Sequence, residues 1–401
     1  MTTAPPPLAP PDPELAAPSA VGPPPGRGRL RGPLATYWWS RLLTLLVASV
    51  AGGRLGVGPL SFLNTWDAGW FLAVARDGYP AHIPMAAGHA AQSTLAFFPL
   101  FPLLLKIVAV LTPLSDGLAG VAVSVVAGAV AVVVIHRIAV RLTGDPDRAF
   151  RAVALFSFFP GSMVLSMAYS EGVMVALAAL CLLALLEERW WTAGLCAALA
   201  TASRASALAL VPACLWQAVR AIRRDRRARL ALGGPSPATG GLRPLVAPLL
   251  APLGTVAYFA FLWIRTGDLL AYPHAEGAWN SGLAYGRPAL LMVGRFLRSP
   301  FTAPVPAVAT LALVFAVVTG ILLARRGWPA VLSVYTFSVL AISVLTRTDG
   351  LRPRDILTAF PLFLAAADVI EQRWMRYVMP AGAAVLALSL TFHNLGTWGQ
   401  P

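Results

Sequence analysis

The sequence predicts a polytopic α-helical membrane protein in which a short set of loops is the only part that must meet bulk water. Of 401 residues, 57% are hydrophobic and only 12% charged, with a mean hydropathy of +0.70. So few charges cannot cover the exterior of a soluble domain of this size. Uncharged apolar runs at Gly117–Ile135, Ala152–Ser170, Pro244–Ile264, Phe301–Ala324 and Gly327–Thr346 approach the roughly 20 residues a helix needs to cross hydrocarbon. Helices are the natural spanning form, because a bilayer core leaves no water to satisfy backbone groups. The expected organisation is one membrane domain over 34–395, a disordered basic Pro-rich cytoplasmic tail over 1–33 and a short outer tail over 396–401.

The formal net charge of +14 does not imply a nucleic-acid partner, since the Arg residues sit in short loops beside apolar runs, where topology explains them. Cys181, Cys196 and Cys214 lie inside apolar runs and suit neither a disulfide framework nor a metal site.

Taken in chain order, Arg27, Arg29, Arg31 and Arg41 hold the N-terminus in the cytoplasm, with Trp38 and Trp39 as an interfacial anchor. The clusters His136–Arg151, Arg220–Arg229 and Arg325–Arg326, with Glu371–Arg376 a weaker fourth, belong on the same side. That leaves Asn64–Thr94, Ser170–Glu171, Asp268–Pro300 and Arg347–Asp355 outside. The alternation holds only if Leu95–Leu111, with two prolines and Lys106, is a helix in the outer leaflet rather than a span. Trp191–Val219 is too long for one span. Arg204 divides it into Thr192–Ser203 and Ala205–Val219, a hairpin with Arg204 near its outer tip. The expected total is about eleven membrane helices, N-terminus in and C-terminus out.

Several outer residues are candidates for chemistry. Asp67 opens a helical stretch and shares its face with Trp70, Phe71 and Val74 at 100° per residue. It can cap the helix, or accept a proton from an acceptor hydroxyl with its pKa raised by desolvation. Glu171 stands where one helix ends and the next begins, as a polar cap or a ligand. Arg204 interrupts an apolar run and so needs a counter-charge, a carbonyl cage or a polar cavity. Arg347, Arg352 and Arg354 break the positive-inside trend; they fit phosphate oxygens, or pair with Asp349 and Asp355. Arg54 can snorkel outward or join that group. His82, His89, His274 and His393 show no metal spacing, and no Gly-rich nucleotide loop is present. A sugar transfer on this face would need a donor already carried by lipid.

Trp66-Asp67-Ala68-Gly69-Trp70-Phe71, Gly78-Tyr79, Ala96-Phe97-Phe98-Pro99-Leu100-Phe101-Pro102-Leu103, Phe159-Pro160 and Ala168-Tyr169-Ser170-Glu171 occur in that order. Ser203-Arg204, Thr266-Gly267-Asp268-Leu269-Leu270-Ala271-Tyr272 and Arg354 with Ala359-Phe360-Pro361-Leu362 follow. From about Trp38 to Ala367 the chain resembles the GPI mannosyltransferase II (PIG-V-like) family, in a bacterial form judging by its Ala/Arg/Pro content. The resemblance implies a GT-C glycosyltransferase helix bundle with its site on the non-cytoplasmic face. It implies an inverting mannosyltransferase fed by a polyprenyl-phosphate donor, with a glycolipid or cell-wall glycan as acceptor. By motif, Asp67 becomes the catalytic base. Glu171, Trp66 and Trp70 become acceptor or sugar contacts, and Arg204, Arg352 and Arg354 hold the lipid phosphate. No cofactor is required by the sequence, and a divalent metal is not demanded. The implied location is the plasma membrane, among its lipids. Two other classes compete: a transporter or flippase of an anionic lipid-linked substrate, and a non-catalytic scaffold.

Overall fold

A computed structural model describes residues 31–86, 88–232, 241–279, 285–299, 304–346 and 351–394. The segments 1–30, 347–350 and 395–401, singled out in the sequence, lie outside the described residues, as do residues 280–284 and 300–303. Among the described residues, five helices are long and apolar enough to cross a membrane: Gly32–Arg54, Asp116–Thr143, Ala205–Ala228, Arg243–Thr266 and Pro306–Arg325. A sixth is reached if Pro146–Phe158 and Pro160–Ser166, bent by 76°, count as one span. The multi-pass membrane class therefore stands. The count of about eleven membrane helices is overturned.

The apolar runs do not all fold as straight rods, which is why counting them overestimates spans. The run Ala152–Ser170 breaks at Pro160, whose ring has no N–H to donate. A break at membrane depth frees carbonyls that lipid cannot satisfy. Here the Arg41 guanidinium reaches across and donates to the Ser157 and Ser162 carbonyls and to the Ser162 and Ser166 hydroxyls. Arg41, expected at the cytoplasmic surface, is thus buried. The run at Gly327–Thr346 yields a helix of 17 residues, Ala330–Thr346, and Glu171–Leu186 has 16. At 1.5 Å per residue these reach roughly 24–26 Å, short of a ~30 Å hydrocarbon core. The break expected at Arg204 is present, but its halves are unequal: helix Trp190–Thr201 on one side and the full candidate span Ala205–Ala228 on the other.

The outer-leaflet helix expected over 95–111 resolves into a 3-10 turn, Thr94–Ala96, and helix Leu100–Leu111. Phe101 and Leu105 are fully buried on its inner side, against helix Asp116–Thr143, while Leu103, Val110 and Leu111 are exposed. It is a packed part of the bundle, too short at ~18 Å to cross alone. The fold is not purely helical either, since Met85–Ala86 and His89–Ala90 form a small antiparallel ladder.

Charged contacts sort the bundle into two ends. Asp368 binds both Arg148 (2.7 Å) and Arg326 (2.6 Å), Arg224 grips Glu188 (2.6 Å), and Arg141 donates to the Leu186 carbonyl (3.2 Å). Three basic clusters and the C-terminal end of helix Glu171–Leu186 are thereby gathered at one end. The N-terminal end of that helix carries Glu171, at the opposite end of the bundle.

Candidate functional site

Helix Asp67–Asp77 begins at Asp67, and the residue before it, Trp66, has φ 60° and ψ −124°. That conformation is nearly closed to residues other than glycine and costs on the order of 1–3 kcal/mol. The Asp67 amide donates to the Tyr169 hydroxyl (3.3 Å), which ties the helix start to a segment 102 residues away. Tyr169 is itself clamped. The Ser124 hydroxyl donates to the Tyr169 carbonyl (2.9 Å) and accepts from the Tyr169 amide (3.3 Å). The two helices can approach this closely because Gly172 and Gly120 lack side chains: a Cβ on them would lie 2.8 Å from the Ser124 carbonyl oxygen and 2.7 Å from the Ala168 Cβ.

The second half of the site comes from helix Pro353–Thr358, where Asp355 accepts from the Arg352 amide (3.1 Å) and so fixes the helix start. Gly161 lies against it, and a Cβ there would come within 2.8 Å of the Arg354 nitrogen. This close approach carries the Arg354 guanidinium inward. Its Nη1 lies 2.7 Å from Asp67 Oδ2 and 3.8 Å from Glu171 Oε1, and its centre is 5.8 Å from the Tyr169 ring. Arg204 meets Glu171 from the other side, with Nη1 2.6 Å from Oε1, and also donates to the Ser170 hydroxyl (3.3 Å). Two carboxylates and two guanidiniums thus alternate in one chain: Asp67, Arg354, Glu171, Arg204.

The group is nearly dry. Side-chain exposure is 15% for Asp67, 3% for Arg354, 0% for Glu171 and 17% for Arg204. Arg204 stands close to Glu171 without the alignment of a hydrogen bond, and both Glu171 oxygens and Arg354 Nε lack a hydrogen-bond partner. Glu171 Oε1 is neutralised by the Arg204 ion pair, while buried polar atoms such as Glu171 Oε2 and Arg354 Nε are ordinarily satisfied, so these two can receive polar groups of a ligand. Burial alone would pull the Arg354 pKa down, but the Asp67 carboxylate, followed by Glu171, Tyr169 and Asp355, more than offsets it and leaves it above its ordinary value. Burial, reinforced by Asp67, pushes Tyr169 up, so its hydroxyl stays protonated. The interleaved guanidiniums make this a poor cation cradle. Among the described residues no group of three His, Cys, Asp or Glu converges.

Of the residues selected from sequence, Asp67, Glu171, Arg204 and Arg354 come together. Arg352 stands two residues before Arg354 at the helix cap. Trp66 supplies the strained entry to the Asp67 helix and is partly exposed. Trp70, one turn after Asp67, stacks on Phe97 (6.0 Å between centroids) and meets Trp279 edge-on (5.1 Å). Trp279 Nε1 is buried without a hydrogen-bond partner. Sequence reasoning missed Tyr169, Gly161 and Trp279. Tyr169 had a visible signal, a phenol directly before the Ser170-Glu171 pair. Gly161 and Trp279 had none, because their importance lies in what packs on them.

Residues 45–227 match the family described as Mannosyltransferase (PIG-V). That stretch contains Asp67, Glu171 and Arg204 but not Arg354. The chain is 33% identical over 175 residues to GPI alpha-1,6-mannosyltransferase 2 of Cricetulus griseus, covering 41% of this chain and 33% of that protein. The corresponding Mus musculus protein is 31% identical over 172 residues, and the Homo sapiens protein 30% over 167. The matches span about a third of the length of these relatives. Among solved structures, the Archaeoglobus fulgidus oligosaccharyltransferase superposes with a TM-score of 0.42 and 14% identity, over 91% of this chain and 56% of that one. A likeness so loose does not establish a shared fold.

Proposed function

We propose that this chain is a membrane mannosyltransferase. It moves mannose from polyprenyl-phosphate-mannose to a hydroxyl of a lipid-linked or cell-wall glycan acceptor, with inversion, on the non-cytoplasmic face of the plasma membrane. One observation carries the reading most of the way. The acid chosen from the first loop, Asp67, is held 2.7 Å from a buried arginine, beside a Glu171 carboxylate that is ion-paired to Arg204 through one oxygen and has no hydrogen-bond partner at the other. Both acids lie within a stretch similar to GPI mannosyltransferases.

In this reading the acceptor O–H gives its proton to Asp67 as its oxygen attacks the anomeric carbon, and the bond from that carbon to the phosphate oxygen breaks. The phosphate leaves with the electron pair, and Arg204, the more accessible of the two guanidiniums, stabilises the growing charge. Glu171 accepts hydrogen bonds from sugar hydroxyls, and Trp66 and Trp70 line the approach. Arg354 holds the Asp67 carboxylate in place. A phosphate diester drawn in beside it competes with Asp67 for the guanidinium, which frees the carboxylate to meet the acceptor hydroxyl. The similarity to animal GPI enzymes supports mannose as the sugar. The Ala/Arg/Pro-rich composition supports a bacterial acceptor instead of a GPI precursor.

The test is transfer of labelled mannose from polyprenyl-phosphate-mannose to membrane acceptors by purified protein. Product formed by wild type and abolished in Asp67→Asn supports the reading. Donor movement across liposomes without product would replace it with a flippase, which the clustering of the charges at the bundle ends disfavours.

A further inference from the structure

We infer that helix Arg287–Arg298 is a docking surface for anionic phospholipid headgroups, at the same end of the bundle as the Asp67 cluster. Its sequence, RPALLMVGRFLR, contains three arginines and no acid. At 100° per residue, Arg287, Arg295 and Arg298 fall within a sector of about 80°, while Ala289, Met292, Val293 and Phe296 share the opposite face. The second face is turned toward the protein: Ala289 is buried, its three companions are half-buried, and the helix packs along Pro304–Arg325. The arginines are exposed, and among the described residues none of them pairs with a carboxylate. Between the two faces Leu290 and Leu297 are each 73% exposed.

Two tethers place the helix. The Tyr285 amide donates to the Leu345 carbonyl (3.2 Å), in the last turn of helix Ala330–Thr346. After Arg298 the chain runs into helix Pro304–Arg325, whose far end is the Arg325–Arg326 cluster bound to Asp368. The helix therefore lies opposite the basic end, on the side where Arg354 enters the site.

At the boundary of a bilayer this pattern has one natural partner. Leu290 and Leu297 enter the acyl chains while the guanidiniums stand at phosphate level, stems along the apolar layer. A zwitterionic surface would satisfy the leucines alone. Three unneutralised guanidiniums need net negative headgroups, and each contributes about a fivefold preference near the surface. This surface does not depend on the proposed mannosyl chemistry.

The test is hydrogen–deuterium exchange of the full chain in nanodiscs of phosphatidylcholine, with or without phosphatidylglycerol. Exchange over residues 287–298 is expected to slow at least tenfold with phosphatidylglycerol, and the effect to fade in high salt. It should vanish in R287Q/R295Q/R298Q and return in R287K/R295K/R298K, with peptides spanning Asp67–Asp77 unchanged as the control for folding. Equal exchange in the two bilayers would overturn the proposal. So would phosphatidylglycerol-dependent protection that survives in the triple Gln variant, since the apolar face would then account for it.

Discussion

Arg354 and Asp67 are 287 residues apart in the chain, yet Arg354 Nη1 lies 2.7 Å from Asp67 Oδ2 with both side chains largely withdrawn from water. Neither charge would be tolerable there alone, since an unpaired ion in a low-dielectric site costs several kcal/mol. The pair is therefore a structural lock, and in the proposed reaction it also positions the base.

Asp67→Asn keeps the size of the side chain and removes its basicity. Mannosyl transfer is expected to fall by about 10²–10⁴-fold, measured as labelled product per folded protein. Full activity in a properly folded Asp67→Asn protein would remove Asp67 from the reaction.

Arg354→Met strands Asp67 beside an apolar side chain and removes one of the two cations near Glu171, at an expected cost of about 3–5 kcal/mol. Combining it with Asp67→Asn removes both partners, and the double variant should recover about 1–3 kcal/mol relative to the sum of the singles. Thermal unfolding in detergent reads both numbers. Strict additivity would mean that the two charges do not interact.

Gly161→Val puts branched carbon where Arg354 and Pro353 backbone now lies. Transfer should drop at least tenfold although no charged group has changed, because small displacements of a positioned group are costly. An active Gly161→Val enzyme would show that helix Pro353–Thr358 need not sit where it does.

Arg41→Leu removes the guanidinium that donates to the Ser162 carbonyl at the 76° bend and leaves the Ser157 carbonyl with the Ser162 hydroxyl alone. Unsatisfied buried acceptors cost about 1–3 kcal/mol each, so the midpoint of thermal unfolding should fall clearly. Arg41→Lys should restore part of the loss. No change in either variant would mean that water already satisfies the bend.

Single cysteines at Arg76 and Arg224, both substantially exposed and at opposite ends of the bundle, test the topology in a background lacking native cysteines. An impermeant thiol reagent added outside whole cells should label the first and reach the second only after permeabilisation. The reverse pattern would turn the bundle over and move the site to the cytoplasm.

The membrane class and the individual charges of interest were legible in the sequence for the same reason. A charge is conspicuous in an apolar chain, so Asp67, Glu171 and Arg204 could each be picked out from neighbours alone, and Arg354 as one of a basic group with Arg347 and Arg352. Their assembly could not be read that way. Nothing local distinguishes Arg354 from Arg352, two residues earlier. The difference is the gap above Gly161, which lets one guanidinium in while the other residue caps a helix. Arg41 shows the converse, a charge whose sequence position suggested the cytoplasmic surface and whose partners are carbonyls freed by a bend 116–121 residues away.

Composition by itself determined that this chain belongs in a membrane, because burial of so much apolar surface depends on amount and not on arrangement. The tertiary structure decided how many runs become full spans and which charges meet. Helix breaks are stable only where a distant side chain satisfies the freed backbone, and a buried charge only where a distant partner neutralises it. Both conditions are set by contacts between residues far apart in sequence, which no local pattern encodes.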